Sequence, residues 1–178
     1  MLLQIIILQV VALILAVFLV FAYDHIFVAK TPFISLEKST INEIIKGLKL
    51  KPNEKFYELG CGDGRVLIIA NQIQPKASFV GIEKALFPYI LAKIKTHSIQ
   101  NIQIKLGDIQ KLDFTDAKVV FVYLMPNLIE AIKPALMQVI KNGGRVVAVE
   151  FGLDSIKPTK TYTLTNQSRH ASKWYLYS

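Results

Sequence analysis

Cysteine is almost missing from this 178-residue chain. Cys61 stands alone, so no intramolecular disulfide framework is available. Histidine is scarce as well. His25, His97 and His170 are scattered and fall at no zinc-ligand spacing, so no metal is expected. Beyond residue 23, no apolar run reaches the roughly 18 residues of a membrane crossing, which excludes a multi-span transporter. There is no internal repeat and no low-complexity tract. Charge is missing from one place above all. None of the Lys, Arg, Asp or Glu side chains lies in residues 1–23, where Gln4 and Gln9 are the only polar residues.

That block, taken as a helix over Leu2–Tyr23, would be about 33 Å long, enough for a bilayer core. A cleaved signal peptide would need a basic start and a small-residue cleavage site. Here only the α-amine precedes the apolar run, and Phe21-Ala22-Tyr23-Asp24 makes a poor site. We therefore read residues 1–23 as a single-pass transmembrane anchor and 24–34 as a juxtamembrane linker. Residues 35–178 then form one soluble domain. Lys30 and Lys38 follow the anchor, which by the positive-inside rule puts the domain on the cytoplasmic side. The net charge of +8 suits an anionic bilayer surface without forming a polybasic cluster. No arginine-rich stripe or aromatic platform suggests a nucleic-acid partner.

Helical spacing begins after Ser35, a reasonable N-cap, with Leu36, Ile41, Ile44, Ile45 and Leu48 on one face. Strands are predicted at Lys55–Leu59, Ser78–Ile82, Ile102–Lys105, Lys118–Leu124 and Arg145–Phe151. Helices are predicted at Arg65–Ile73, Leu86–His97 and from Pro126 to about Ile140, ended by Asn142-Gly143-Gly144. Two alternating segments, Thr161–Thr165 and Lys173–Tyr177, read as a hairpin closing the sheet edge. The fold class is α/β. Its sheet is doubly wound and mostly parallel, ends in a C-terminal β-hairpin and follows one N-terminal transmembrane helix.

The strongest motif is Glu58-Leu59-Gly60-Cys61-Gly62-Asp63-Gly64-Arg65, between a strand and a helix. Its glycines allow a tight turn and close approach of a ligand, and the helix start offers free N–H groups. The spacing G-x-G-x-G differs from the dinucleotide G-x-G-x-x-G and disfavours a nicotinamide oxidoreductase. Acidic Glu58 suits a ligand bearing an ammonium and a sulfonium better than a pyrophosphate. Glu83, ending the second strand in Gly81-Ile82-Glu83, can accept both hydroxyls of a ribose. Asp108, in Gly107-Asp108-Ile109, can accept an adenine amino group while Ile109 packs on the ring. Each acid alone has a structural explanation: an ion pair for Glu58, a helix-start acid for Glu83, a turn residue for Asp108. Three acids at the ends of three successive strands point to a binding site.

Residues 58–64, 81–83 and 107–109 resemble the first three motifs of class I S-adenosylmethionine-dependent methyltransferases, a Rossmann-like superfamily. That resemblance implies S-adenosyl-L-methionine as cofactor, held by Glu58, Gly60, Cys61, Gly62, Asp63, Gly64, Glu83, Asp108 and Ile109. A narrower likeness runs through Thr31–Ile34, Tyr123-Leu124-Met125-Pro126-Asn127, Glu130, Lys133-Pro134, Arg145-Val146-Val147 and Glu150-Phe151. These are similar to a family of small protein-lysine methyltransferases. Its members include an archaeal broad-specificity enzyme and mitochondrial, membrane-anchored enzymes acting on the ATP synthase c-subunit and the adenine nucleotide translocase. The short tail resembles that family too.

The resemblance implies methylation of lysine ε-amines, with a membrane protein as the expected substrate. Methyl transfer to an amine mainly requires alignment and loss of a proton. Tyr123, Asn127 and Glu150 are the catalytic candidates: Asn127 to orient the amine, Glu150 to hold it or accept a proton, and Tyr123 to border the methyl. Met125-Pro126-Asn127 is equally readable as a plain strand-to-helix turn. The Asp/Asn-Pro-Pro-aromatic tetrad of many amino-methyltransferases is replaced by Leu124-Met125-Pro126-Asn127. Thr31–Ile34 either covers the cofactor or ends the anchor. Trp174 and its neighbouring tyrosines read as hairpin packing rather than a substrate cage. Two alternatives stand beside the lysine reading: a methyltransferase for a lipid-headgroup or small-molecule amine, and a non-catalytic cofactor-binding adaptor.

Overall fold

The computed structural model describes residues 1–23, 35–168 and 170–178. The expected linker and its Thr31–Ile34 segment lie outside the described residues. Five short strands run parallel: β1 (Lys55–Leu59), β2 (Ser78–Glu83), β3 (Ile102–Leu106), β4 (Val119–Val122) and β5 (Arg145–Val149). Two antiparallel strands, β6 (Lys160–Ser168) and β7 (Ala171–Tyr177), complete one sheet in the order β3-β2-β1-β4-β5-β7-β6. The chain leaves β1 for β2 and β3 on one side, then returns to β4 and β5 on the other. The point of reversal lies between β1 and β4, and a crevice opens there at the carboxyl ends of the strands.

The central strands are apolar on both faces because helices cover both. On one face, Phe56, Phe79, Phe121 and Val147 pack beneath α2 (Lys38–Leu48) and α3 (Arg65–Ile73). Ala92 of α4 (Leu86–Thr96) joins the same cluster. On the other face, Tyr57, Val80, Val120 and Val146 meet α5 (Pro126–Lys141) through Ile129, Ile132, Leu136 and Val139. Burying a side chain of this kind contributes about 1.5–3 kcal/mol. The long helix α1 (Leu2–Tyr23) is charge-free, and its Leu2–Val20 stretch is long and apolar enough to cross a membrane.

Several boundaries differ from the sequence reading. Ser35 does not cap α2: the helix starts at Lys38, with Glu37 at the cap position and no side-chain cap bond. The β4 and β5 strands are shorter than their apolar runs. Leu124 and Phe151 lie beyond pairing, where the chain turns out toward the crevice. The hairpin is longer than the alternation suggested. Trp174 is buried and stacks on Tyr162, with ring centroids 4.0 Å apart, while Gly47 of α2 lies directly against it. Those aromatics are packing groups.

Candidate active site

The crevice is a cavity of about 580 Å³, within the range of small-molecule sites. Its walls come from the β1–α3 loop, the end of β2, the β3 and β4 ends, and Ser35-Leu36 ahead of α2. The loop is held to β2 by backbone. Gly60 and Cys61 both donate to the Ile82 carbonyl, at 2.8 and 3.0 Å. Gly60 has φ +76°, and a Cβ there would stand 2.9 Å from Leu124 Cδ2, so glycine is required. Gly64 shares that backbone conformation and faces Ala92 and Thr96, which lets α4 approach α3 closely. Gly62 and Gly64 are buried supports of the loop; Gly60, Cys61 and Asp63 line the cavity.

Glu58 lines the cavity from the end of β1 and is 6% exposed. Its Oε2 is buried and has no hydrogen-bond partner. Burial, with the Asp63 and Glu83 carboxylates nearby, pushes its carboxyl well above the usual range. That unpartnered oxygen can receive a cationic donor, such as an amino-acid ammonium. Glu83 is pre-oriented. Its Oε2 accepts the Gly62 N–H, and its Oε1 accepts the N–H groups of Lys84 and Ala85. Asp108 Oδ1 accepts the Gln110 N–H at 3.0 Å, and its Oδ2 pairs with Lys84 Nζ at 3.0 Å. The Gln110 bond is the main reason its carboxyl sits below the ordinary value. Ile109 is buried beside it on the cavity wall.

Asp63 carries a different duty. Arg65 grips both of its oxygens at 2.9 Å, and Lys95 of α4 reaches Oδ2 at 2.5 Å. Burial opposes ionisation, but these cations more than offset it and bring the carboxyl to about 2. Arg65 and Lys84 line the cavity and were not among the sequence candidates, although Arg65 ends the glycine motif and Lys84 directly follows Gly81-Ile82-Glu83. Burial pushes the Cys61 thiol up, so this residue serves as packing beneath Gly81 rather than as a nucleophile.

At the outer end, Tyr123, Met125, Asn127 and Phe151 line the cavity. Tyr123 donates to the His170 carbonyl at 2.9 Å. Burial raises its phenol, helped by the Glu150 carboxylate, so it stays neutral at physiological pH. Glu150 itself is not among the cavity-lining residues. Its φ of +63° turns the chain, its N–H donates to Lys173, and its carboxylate accepts the Ser172 N–H at 2.6 Å. The structure thus brings Tyr123 and Asn127 to the cavity and ties Glu150 to the hairpin. No histidine lines the cavity among the described residues, and none of their His, Cys, Asp and Glu side chains form a cluster fit for a metal.

An open, mostly parallel sheet with this acid-lined crevice and glycine loop defines a class I S-adenosylmethionine-dependent methyltransferase with a Rossmann-like fold. Residues 58–160 match the family described as the ANTKMT methyltransferase domain, and the chain belongs to that family. It is 29% identical over 135 residues to a protein-lysine N-methyltransferase of Saccharolobus islandicus (strain REY15A), covering 74% of this chain and 84% of the relative. It is 24% identical over 134 residues to the adenine nucleotide translocase lysine N-methyltransferase of Mus musculus, covering 72% of this chain and 57% of that protein. Among solved structures, an RNA methyltransferase from Salinibacter ruber in complex with S-adenosyl-L-homocysteine superposes with a TM-score of 0.70. That match has 22% identity and covers 81% of this chain and 92% of the other. At that identity the likeness concerns the fold.

Proposed function

We propose that this chain is a membrane-anchored protein-lysine N-methyltransferase whose substrates are membrane proteins. Residues 1–23 anchor it in the bilayer, residues 24–34 link, and residues 35–178 form the methyltransferase domain on the cytoplasmic side. The observation that carries the reading is the family match laid over a cavity lined by Glu58, Glu83 and Asp108 together with Tyr123 and Asn127. The two relatives are both lysine N-methyltransferases by name, and α1 supplies the membrane element.

Bound S-adenosylmethionine supplies a methyl group on a sulfonium, already activated for in-line displacement by an amine. Glu58 holds its ammonium, Glu83 accepts from the ribose hydroxyls, and Asp108 with Ile109 receives the adenine. The β1–α3 loop, from Gly60 to Gly64, gives these contacts a fixed backbone. At the outer end, the Asn127 amide oxygen and the neutral Tyr123 oxygen accept N–H groups of the incoming lysine and orient its lone pair. Neither takes its proton, which leaves to solvent before transfer. Glu150 fixes the hairpin that carries Ser172 and leaves Tyr123 its position.

The test is to incubate the full chain with a membrane fraction and radiolabelled S-adenosylmethionine. Label on protein, mapped to lysine, is expected. Label in the lipid extract would favour headgroup amines instead, a reading that the same α1 serves. Label on neither protein nor lipid, with cofactor binding intact, would overturn both and point to a small-molecule amine or a non-catalytic adaptor.

A further inference from the structure

A surface helix normally turns polar side chains outward. Helix α4 does the reverse. Its inward face presents Ala92 and Thr96, both buried. Its outward face presents Leu86, Phe87, Ile90 and Ile94, which are 36, 48, 43 and 62% exposed. They form one stripe at helical spacing. Lys93 and Lys95 flank it, and Leu86–Thr96 contains no acidic residue. Outside residues 1–23, the other exposed large apolar side chains among the described residues are Leu106, Met125 and Phe151. Each of these stands at the carboxyl end of a parallel strand, the end at which the cavity opens.

We propose that this face of α4 seats in the headgroup–acyl boundary of the bilayer and turns the cavity mouth toward the membrane surface. The inference rests on α1 being the anchor. Two observations select a bilayer as the occupant. First, Ile14, Val17, Phe18 and Val20 of α1 meet Leu86, Phe87 and Ile90 across an almost wholly apolar groove of about 390 Å³. Val17, Phe18 and Val20 lie in the last two turns of α1, so a helix alongside them lies toward the membrane interface. Second, the composition of an apolar stripe with lysine flanks and no acids is that of a helix lying in an anionic interface, where such faces bury about 5–10 Å deep. The consequence for catalysis is geometric. Lys84, Ala85 and Pro88, at the start of α4, line the cavity while Leu86 and Phe87 face the groove. One helix therefore joins the cofactor site to the membrane, and a lysine close to the bilayer surface is presented directly to the rim at Met125 and Phe151.

The experiment reconstitutes the full chain in vesicles of mixed phosphatidylcholine and phosphatidylserine. An environment-sensitive fluorophore is placed on Ile94→Cys, and in a separate protein on Lys76→Cys, at the opposite end of the sheet. Retained S-adenosylmethionine binding in detergent shows that each labelled chain is folded. The Ile94 probe is expected to shift to the blue and to lose most of its emission to brominated acyl chains. Aqueous iodide should quench it little, and the Lys76 probe should show the opposite pattern. A chain that floats with the vesicles while iodide quenches both probes equally would overturn the docking and leave the anchor standing. An Ile94 probe shielded from both quenchers would assign the face to a protein partner or a second copy, and would also overturn it. Failure to float would remove the anchor and the docking together.

Discussion

The Glu83 carboxylate ties the glycine loop to the neighbouring strand: its Oε2 accepts the Gly62 N–H at 2.8 Å. Its other oxygen accepts two N–H groups at the start of α4. One side chain thus orders the loop, the helix start and the place where a ribose would bind. Hydrogen bonds to a charged group contribute about 1.5–3 kcal/mol. Glu83→Ala should therefore weaken S-adenosylmethionine binding by about 100-fold or more, and Glu83→Gln, which keeps an acceptor, by about tenfold. Titration calorimetry measures both. Unchanged affinity in the alanine variant would remove Glu83 from the site.

Glu58 makes a pH-dependent prediction. Burial raises its carboxyl in the folded chain, so the folded state holds a proton that the unfolded state has already released. The stability contributed by this group is complete below the unfolded value. It declines as pH rises toward the raised folded value. In the cofactor-free chain the urea midpoint should fall as pH rises above about 4.5, and Glu58→Gln should remove that component. Cofactor binding brings an ammonium to the site and should expel the proton. At a pH above the ordinary 4.5 and below the raised folded value, the binding enthalpy should then differ between buffers of different ionisation enthalpy, but not in Glu58→Gln. Identical enthalpies in the unmutated chain would show that the carboxyl is already ionised.

The elements that sequence made legible are those with a strong local signal. Both β1 and α3 match their predicted bounds because the glycine loop separates two apolar patterns sharply. The three acids were visible because each lies within three residues of the end of a predicted strand. Ser35 misled because a cap is defined by the backbone that follows it, and here Glu37 takes that position. Arg65, Lys84 and Lys95 were missed for a related reason. Lys95 reaches Asp63 across 32 residues, and nothing in the spacing announces that α4 packs beside the loop. Glu150 shows the same limit from the other direction. Its partner is set by β5 pairing with β7, and its positive φ directs the carboxylate to Ser172.

Gly81 tests the packing beneath the loop. A Cβ there would lie 2.6 Å from both Cys61 Sγ and Leu67 Cδ1, two side chains fixed in the core. Gly81→Ala should cost about 1–3 kcal/mol, or roughly 2–4 °C in Tm per kcal/mol. Gly143 makes the comparison. It has φ +76° and nothing within 4 Å, so Gly143→Ala carries only backbone strain of about 1–2 kcal/mol. Cofactor affinity should drop in Gly81→Ala and hold in Gly143→Ala. Equal thermal and binding losses would contradict the packing argument.

Asp63 should behave opposite to Glu58. Arg65 and Lys95 overcome its burial and hold it at about 2, below its ordinary 3.8. Its contribution is therefore present above pH 3.8 and lost as pH falls toward 2, and a shift of this size corresponds to about 2 kcal/mol. Asp63→Asn should lower the urea midpoint at pH 6, with the gap to the unmutated chain narrowing toward pH 3. A gap independent of pH would mean that the lost contacts are not ionic.

Tyr123 and Asn127 share the outer end of the cavity but should fail differently when altered. Asn127→Ala removes an acceptor for the incoming amine and nothing that touches the acids deeper in the cavity. Turnover should fall by about 10- to 100-fold, with cofactor affinity unchanged. Tyr123→Phe removes an acceptor for the amine and also the phenol bond to the His170 carbonyl, which loosens the hairpin, so kcat should fall and KM for the protein substrate should rise with it. Its phenol lies above its ordinary value and is neutral between pH 7 and 9, so it does not take the lysine proton. At saturating cofactor, kcat/KM should rise across that interval as free amine accumulates toward the lysine value near 10.4, and the rise should persist in Tyr123→Phe. Loss of the rising limb in that variant would make Tyr123 the general base and overturn its role as a neutral acceptor.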